Sequence, residues 1–447
     1  MTDDVTGDLD TDQGTTPSTR SLNAGIAGEQ PSGRWSDFTP ANLKVGFACL
    51  LGLMLAGSPL ATSAISLAMV PLSAAWGWSR GEIGGAVTAW SWAGALAMPF
   101  LGRHLDKRRT RGPLIALAIV TGVLTVSVAL QTGSLAQFYA IYLLLGLSGA
   151  TIMVYTKIVA AIFTVNRGKA LALFTIGSTV IVAAFPQVMR VVFEHSSWRG
   201  IFLVLGLATL VVAVPVLVLW LKDPPDAAAI AAGPVRLPDP PTDGATAEEA
   251  RRSATFWLIV LINVCGGTTI FGLLPHLVAI MTSRGLSLTA AVGAMSLSSL
   301  FVIVGQFSIG FVMDRFNTVK IAAPYMFVFG VGVFMLSIAS GHGRGEWLLY
   351  GGVALMGTGG GAQLPFANYV FTRYFGMKAF GEIAGLSYGL SLAVSGLSPA
   401  LIGIVYDRTG SYSPAFAVLA AAAALNVVLY AFVLPRYRYS RSGAPAG

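Results

Sequence analysis

From about Leu43 to Leu434 the chain alternates long apolar runs with short breaks of charged residues, Gly and Pro. Twelve such runs are readable, at approximately 42–70, 82–102, 113–131, 137–163, 170–193, 198–221, 255–281, 287–313, 320–340, 346–371, 379–405 and 412–434. A helix needs ~20 apolar residues to cross the hydrocarbon core of a bilayer, and these runs meet that length. Inside lipid only helices and closed barrels satisfy their own backbone. The ~10-residue alternation of a membrane barrel strand does not occur in these runs. The pattern therefore predicts an all-α polytopic membrane protein with twelve transmembrane helices, six on each side of one long polar break.

Composition agrees with the pattern. Of 447 residues, 55% are hydrophobic and 11% charged, against roughly a quarter charged in a soluble chain. An ordinary water-soluble enzyme is excluded on that ground. The sequence also has no nucleotide loop, metal-ligand cluster or nucleophile triad, so neither catalysis nor a cofactor is expected. Cys49 and Cys265 fall inside apolar runs and read as small core residues. Residues 1–40 start acidic, lack the apolar segment of a signal peptide and are too polar to repay ordering; they read as a disordered cytoplasmic tail. The expected organisation is then a first six-helix half at 41–221, a Pro- and Ala-rich cytoplasmic linker at 222–253, a second half at 254–435 and a tail at 436–447.

The net charge of +8 is informative through its placement. Arg80, Arg199, Arg284, Arg344 and Arg408 lie on one side of the predicted membrane, and Lys157 and Arg190 lie within spans. All other Lys and Arg residues fall on the side of the two termini. That distribution follows the positive-inside rule and predicts a multi-pass cell (inner) membrane protein with both termini cytoplasmic. The basic excess is a topology signal, so the partner is the lipid bilayer and not nucleic acid.

The two halves repeat. At an offset of 208 positions, Gly102 and Asp106 fall on Gly310 and Asp314, Gly85 on Gly293, Gly168 on Gly376, Gly177 on Gly385, and the Trp78-Ser79 break on Leu286-Ser287. Duplicated six-helix units place a substrate site near the midplane between pseudo-symmetric halves. Residues 102–114 (GRHLDKRRTRGPL) resemble the loop motif of the major facilitator superfamily, Gly-x-Leu-Ala-Asp-Arg-x-Gly-Arg-Lys-x-x-Leu. Gly102, Asp106, Lys107, Arg111 and Leu114 fit by identity or charge; His104, Arg109 and Thr110 depart. Residues 310–317 (GFVMDRFN) form a trimmed second copy. Within the superfamily, residues 76–82 (WGWSRGE) and 163–177 (FTVNRGKALALFTIG) resemble the monocarboxylate porter family. The resemblance implies a secondary transporter that moves a small organic anion by alternating access, with protons or a counter-anion as coupling partners and one chain sufficient. It also implies a cytoplasmic gate at Gly102, Asp106, Lys107, Arg111, Gly310, Asp314 and Arg315.

Charges within a bilayer are costly and mark function. Lys157, about six residues or ~9 Å from the inner end of the fourth span, is placed to attract a carboxylate or to snorkel to the headgroups. Tyr155 points nearly the opposite way on the same helix. Arg190 shares a stripe with Gln187 and Glu194; it reads either as half of an ion pair or as an anion-attracting arginine of the outer gate. His276, beside Pro275, is the one histidine deep enough to relay protons, with a buried structural role as the alternative. Asn263, Gln306, Gln363 and Asn368 add uncharged polar groups, and Gln363 is the repeat partner of Tyr155. No Asp or Glu falls at mid-span, which disfavours a cationic substrate. Export of a neutral or amphipathic compound, with Trp90 and Trp92 lining the path, is the competing reading.

Overall fold

The computed structural model describes residues 37–56, 58–107, 110–147, 151–163, 167–222, 244–316, 318–339, 343–376 and 378–436. The expected tail over 1–36, the linker core at 223–243 and the tail from 437 lie outside the described residues. The described residues form twelve helical spans in the expected order. The first is Pro40–Ala56 with Ser58–Trp76, the second Arg80–Lys107, the third Arg111–Ala129 and the fourth Leu135–Gly146 with Thr151–Ile162. The fifth is Arg167–His195, and the sixth runs from Trp198–Ala208 through a π-helical turn, Thr209–Ala213, into Val214–Trp220. The seventh is Ala254–Leu273 and Leu277–Ser283, joined by a 3₁₀ turn at Leu274–His276; the eighth is Leu288–Arg315, the ninth Ala322–Ile338 and the tenth Arg344–Phe375. The eleventh is Phe380–Ser395 with Ser398–Thr409, and the twelfth is Ser413–Val428 extended by a π turn, Leu429–Val433. The face reached by Pro40 and Arg436 is called inner below, the opposite face outer.

Local chemistry explains the boundaries and exposes the repeat. Gly77 and Gly285, 208 positions apart, follow the first and seventh spans with φ of 68° and 99°, a region that favours glycine. Two residues later Ser79 and Ser287 cap the next helix, accepting from the amides of Glu82 (3.1 Å) and Ala290 (3.2 Å), as N-cap serines do. Two of the five arginines on the outer face, Arg199 and Arg284, have matching structural tasks. Arg199 donates to the carbonyls of Ala129 (3.1 Å) and Gln131 (2.9 Å) beyond the end of the third span. Arg284 donates to Ser337 and Ala339, both at 3.0 Å, the repeat equivalents of those acceptors, at the end of the ninth span. A cation there meets orphan carbonyls and the negative end of the helix dipole.

The segment read as linker is ordered at its second end. Ala245 donates to the Phe375 carbonyl at 2.9 Å. A short helix, Ala247–Arg252, starts from a Thr246/Glu249 capping box, and the bonds from Thr246 hold the Glu249 carboxyl below its usual range. Ala245, Ala247 and Ala250 are buried in the inner core of the second half. The segment reads in sequence as a Pro- and Ala-rich cytoplasmic linker, but Ala247 and Ala250 form the buried face of this docked helix.

The buried apolar residues fall into three clusters whose depths differ. One includes Ala64–Leu72 of the first span, Ile83–Trp90 of the second, Leu277–Met281 of the seventh and Ile402 of the eleventh, so it runs through both halves at the outer side. The other two lie at the inner side, one in each half: Val45–Met54 with Val154–Phe163 in the first, and Phe256–Ile262 with Phe366–Phe375 in the second. The halves thus share an outer core and keep separate inner ones.

Within each half, helices approach through glycine. A Cβ at Gly332 of the ninth span would sit 2.6 Å from the Gly352 carbonyl oxygen and 2.7 Å from the Met356 nitrogen of the tenth. Gly332→Val is expected to lower stability by about 1–3 kcal/mol through overpacking, read as a lower melting temperature in detergent. Gly112→Ala, where a Cβ meets nothing within 4 Å, is expected to leave it unchanged or slightly higher.

Candidate functional site

The surface between the halves holds the groups that can meet a solute. At the outer side it is tightly closed. A Cβ at Gly84 of the second span would lie 2.5 Å from the Pro399 carbonyl oxygen of the eleventh, and one at Gly396 would lie 2.5 Å from the Ser91 Cβ. The Trp92 indole Nε1 donates to the Ala393 carbonyl at 2.8 Å, and the Val278 amide of the seventh span donates to Ser66 Oγ of the first at 3.3 Å. Further in, the picture changes. Gly389, Gly385 and Gly381, which continue along the eleventh span, face open space. Leu96, one turn inward of Trp92, is 70% exposed. The fifth and eighth spans touch through Gln187 Nε2 to Ser296 Oγ (3.4 Å) and Thr179 Oγ1 to Gln306 Oε1 (3.5 Å). Among the described residues the two halves are therefore sealed at the outer face and parted toward the inner one.

The candidate residues distribute unevenly over this surface. Lys157 is exposed on the inner part of the fourth span, while Tyr155 is fully buried in the first half's inner core. The Tyr155 hydroxyl lies over Gly52 of the first span, where a Cβ would be 2.5 Å away, and it has no hydrogen-bond partner. In the second half the Gln363 amide fills the space over Gly266 of the seventh span in the same manner, but Gln363 is only half-buried. Asn263 is buried and donates to Ser387 Oγ at 3.3 Å. Asn368 accepts from the Tyr388 hydroxyl at 2.9 Å. The seventh, tenth and eleventh spans thus carry uncharged polar groups, two hydrogen-bonded pairs and the Gln363 amide, through the inner half of the bundle.

Arg190 and His276 lie apart from that set. Arg190 is paired with Glu194 one turn away at 2.5 Å, and its Nε is buried without a partner. His276 is fully buried at the outer closure. Its Nε2 lies 2.8 Å from the Pro399 carbonyl oxygen and its Nδ1 3.5 Å from the Tyr412 hydroxyl. The 3₁₀ turn at Leu274–His276 places the ring there, since Pro275 interrupts the helical ladder. His276 therefore joins the seventh span to the eleventh and twelfth on the outer side and is remote from the inner polar set.

The inner gate residues are only partly described. Gly102, Asp106 and Lys107 belong to the second helix, and Asp314 to the eighth, but their side chains lie outside the described residues. Arg111 donates through Nη2 to the Val218 carbonyl of the sixth span, a tie within its own half. Gly310 faces open space, and Arg315 is exposed, its guanidinium 6.0 Å from the neighbouring Phe316 ring.

This architecture has known counterparts. The sequence profile of the Major Facilitator Superfamily matches residues 50–343 and 294–446. The chain belongs to that superfamily: it is a membrane transporter of a small-molecule substrate, and not an enzyme. Among curated proteins, it is 22% identical over 379 residues to the uncharacterized MFS-type transporter YcxA of Bacillus subtilis (strain 168), covering 81% of this chain and 88% of YcxA. The fold is similar to the nucleoside transporter NupG (TM-score 0.69, 14% identity, 90% of this chain and 100% of that one). It is also similar to a bacterial homologue of the human lysosomal transporter Spinster in an inward-facing, occupied conformation (TM-score 0.66, 15% identity, 91% and 100%).

The contacts of His276 and Arg190 set expectations for stability. His276→Ala leaves the Pro399 carbonyl without its buried partner, so it is expected to cost about 1–3 kcal/mol and lower the melting temperature by the same amount with or without solute. Arg190→Gln removes a partly exposed pair and is expected to cost less than about 1 kcal/mol in the same measurement.

Proposed function

We propose that the chain is a secondary transporter of a small organic anion, of the size and chemistry of a monocarboxylate, and that it works by alternating access. Its inner face is the cytoplasmic face of the cell membrane, in accord with the Lys and Arg distribution, and the described conformation is the one open to the cytoplasm. One chain carries the whole path, and protons or a counter-anion supply the coupling.

The observation that carries the substrate reading is Lys157, an exposed cation on the inner part of the fourth span, on the side of the membrane where the halves are parted. Arg190 is held by Glu194 and lies nearer the outer end of its span, whereas Lys157 lies toward the inner side. Among the described residues the acidic side chains lie near helix ends, as Glu82, Glu194, Glu382 and Asp407 do. A cationic solute would have no counter-charge at mid-depth, and an unpaired charge in that environment is expensive. Asn263, Gln363 and Asn368 supply hydrogen bonds for the rest of the molecule; Tyr155 supports the fourth span from behind. A neutral amphipathic solute is the second reading, favoured by the half-buried amides of Gln306 and Gln363.

Thermal stabilisation of the purified protein separates the two. A ligand at a hundredfold excess over its Kd stabilises the folded state by about 2.7 kcal/mol. A panel of monocarboxylates, neutral amides and hydrophobic cations is expected to give stabilisation by a carboxylate, abolished in Lys157→Gln with the ligand-free melting temperature unchanged. Stabilisation by neutral or cationic amphiphiles alone overturns the anion reading.

A further inference from the structure

The outer end of the second span is finished by the other half of the molecule. A helix begins with amide groups that have no intrahelical partner. Here Ser79 and Glu82 form a reciprocal cap: Ser79 Oγ accepts from the Glu82 amide at 3.1 Å, and the Glu82 carboxylate accepts from the Ser79 amide at 2.8 Å. The amides of Arg80 and Gly81 remain. Both donate to Asp407 at the end of the eleventh span, at 3.0 Å to Oδ1 and 2.7 Å to Oδ2. The carboxylate also sits at the positive end of a 28-residue helix, where a negative charge is favoured. Such charge-assisted bonds are stronger than neutral ones.

The Arg80 side chain reaches the same half. Its guanidinium lies 3.7 Å from the centroid of the Tyr406 ring and donates to the Tyr412 hydroxyl. That hydroxyl is 3.5 Å from His276. Glycine lets the backbones come this close: a Cβ at Gly403 would lie 2.5 Å from the Arg80 carbonyl, and one at Gly81 would lie 2.8 Å from Ile404 Cγ1. Apart from the Tyr412–His276 contact, which lies within the second half, these contacts cross between the halves.

We propose that Asp407 and Arg80 are the outer latch of the transport cycle: they hold the outer face shut and set the share of molecules open to each side. Opening strips two amides of their carboxylate and leaves them to water, so the latch is a reversible cost attached to one state. The proposal does not depend on which solute is carried, and its test needs none.

The experiment measures the width of the outer face by pulsed electron–electron resonance. Nitroxides are placed on cysteines substituted for Leu130 and Trp347, which are 68% and 79% exposed at outer ends in opposite halves, in a Cys49→Ala/Cys265→Ala background. The parent is expected to give one short distance. Asp407→Ala is expected to raise the population at a longer distance by at least about tenfold, the ratio expected for loss of a charged hydrogen-bonding group. Asp407→Glu is expected to stay near the parent, and Arg80→Lys to open partially by losing its aromatic contact. Glu82→Gln, which touches only the local cap, is expected to leave the distribution alone. An unmoved distribution in a folded Asp407→Ala protein, or equal widening by Glu82→Gln, overturns the latch. Should Asp407→Ala fail to fold, Arg80→Lys and Asp407→Asn decide by the same readout.

Discussion

At the outer face the second and eleventh spans approach until backbone meets backbone, and the rest of the molecule is arranged around that approach. Gly81 and Gly84 on one helix and Gly396 and Gly403 on the other leave no room for a Cβ, as in small-residue helix crossings in membranes. Lipid tails are as apolar as the side chains they touch, so burial of hydrocarbon adds little to the pairing of two helices there. Close packing and satisfied polar groups have to supply it. Both are concentrated on this one crossing, with the Arg80 and Gly81 amides held by Asp407 and the Trp92 indole held by Ala393.

The uneven distribution of cores follows from the same geometry. Each half has a private inner core that would survive separation of the halves on that side. The outer core is common property, so parting the halves there exposes buried apolar side chains from both. Packed interfaces switch between arrangements and do not deform continuously. The open faces of Gly381, Gly385 and Gly389 continue the glycine spacing of the outer crossing toward the inner end of the eleventh span.

The spans were legible because lipid imposes a length and a composition on them, and all twelve helices appear near their expected bounds. The repeat was legible because turns and caps need particular residues, as at Gly77/Gly285 and Ser79/Ser287. Roles within the membrane were harder to read. Arg190 and Glu194 are one turn apart, and local spacing pointed to their pairing. His276 has Pro399 and Tyr412 as neighbours, more than a hundred positions away, and nothing nearby in sequence marks that. Asp407 bonds to an amide 327 positions distant. One signal was present: the Ser79/Glu82 box satisfies its own two amides and leaves those of Arg80 and Gly81 without an acceptor, which calls for an external carboxylate.

Helix ends also explain why that residue is an acid. Arg199 opens the sixth span, and Asp407 lies in the last turn of the eleventh. Arg199 meets the carbonyl end of the third span; Asp407 meets the amide end of the second. The helix dipole gives those two ends opposite signs, so the residues that serve them carry opposite charges. The ninth span, equivalent to the third, still needs a cation at its end. Arg284 supplies it from the connection between the seventh and eighth spans, where the first half has Trp76, a ring 5.6 Å from Arg199. Asp407 instead meets an amide end of the other half, accepting from Arg80 and Gly81 where the outer face is closed.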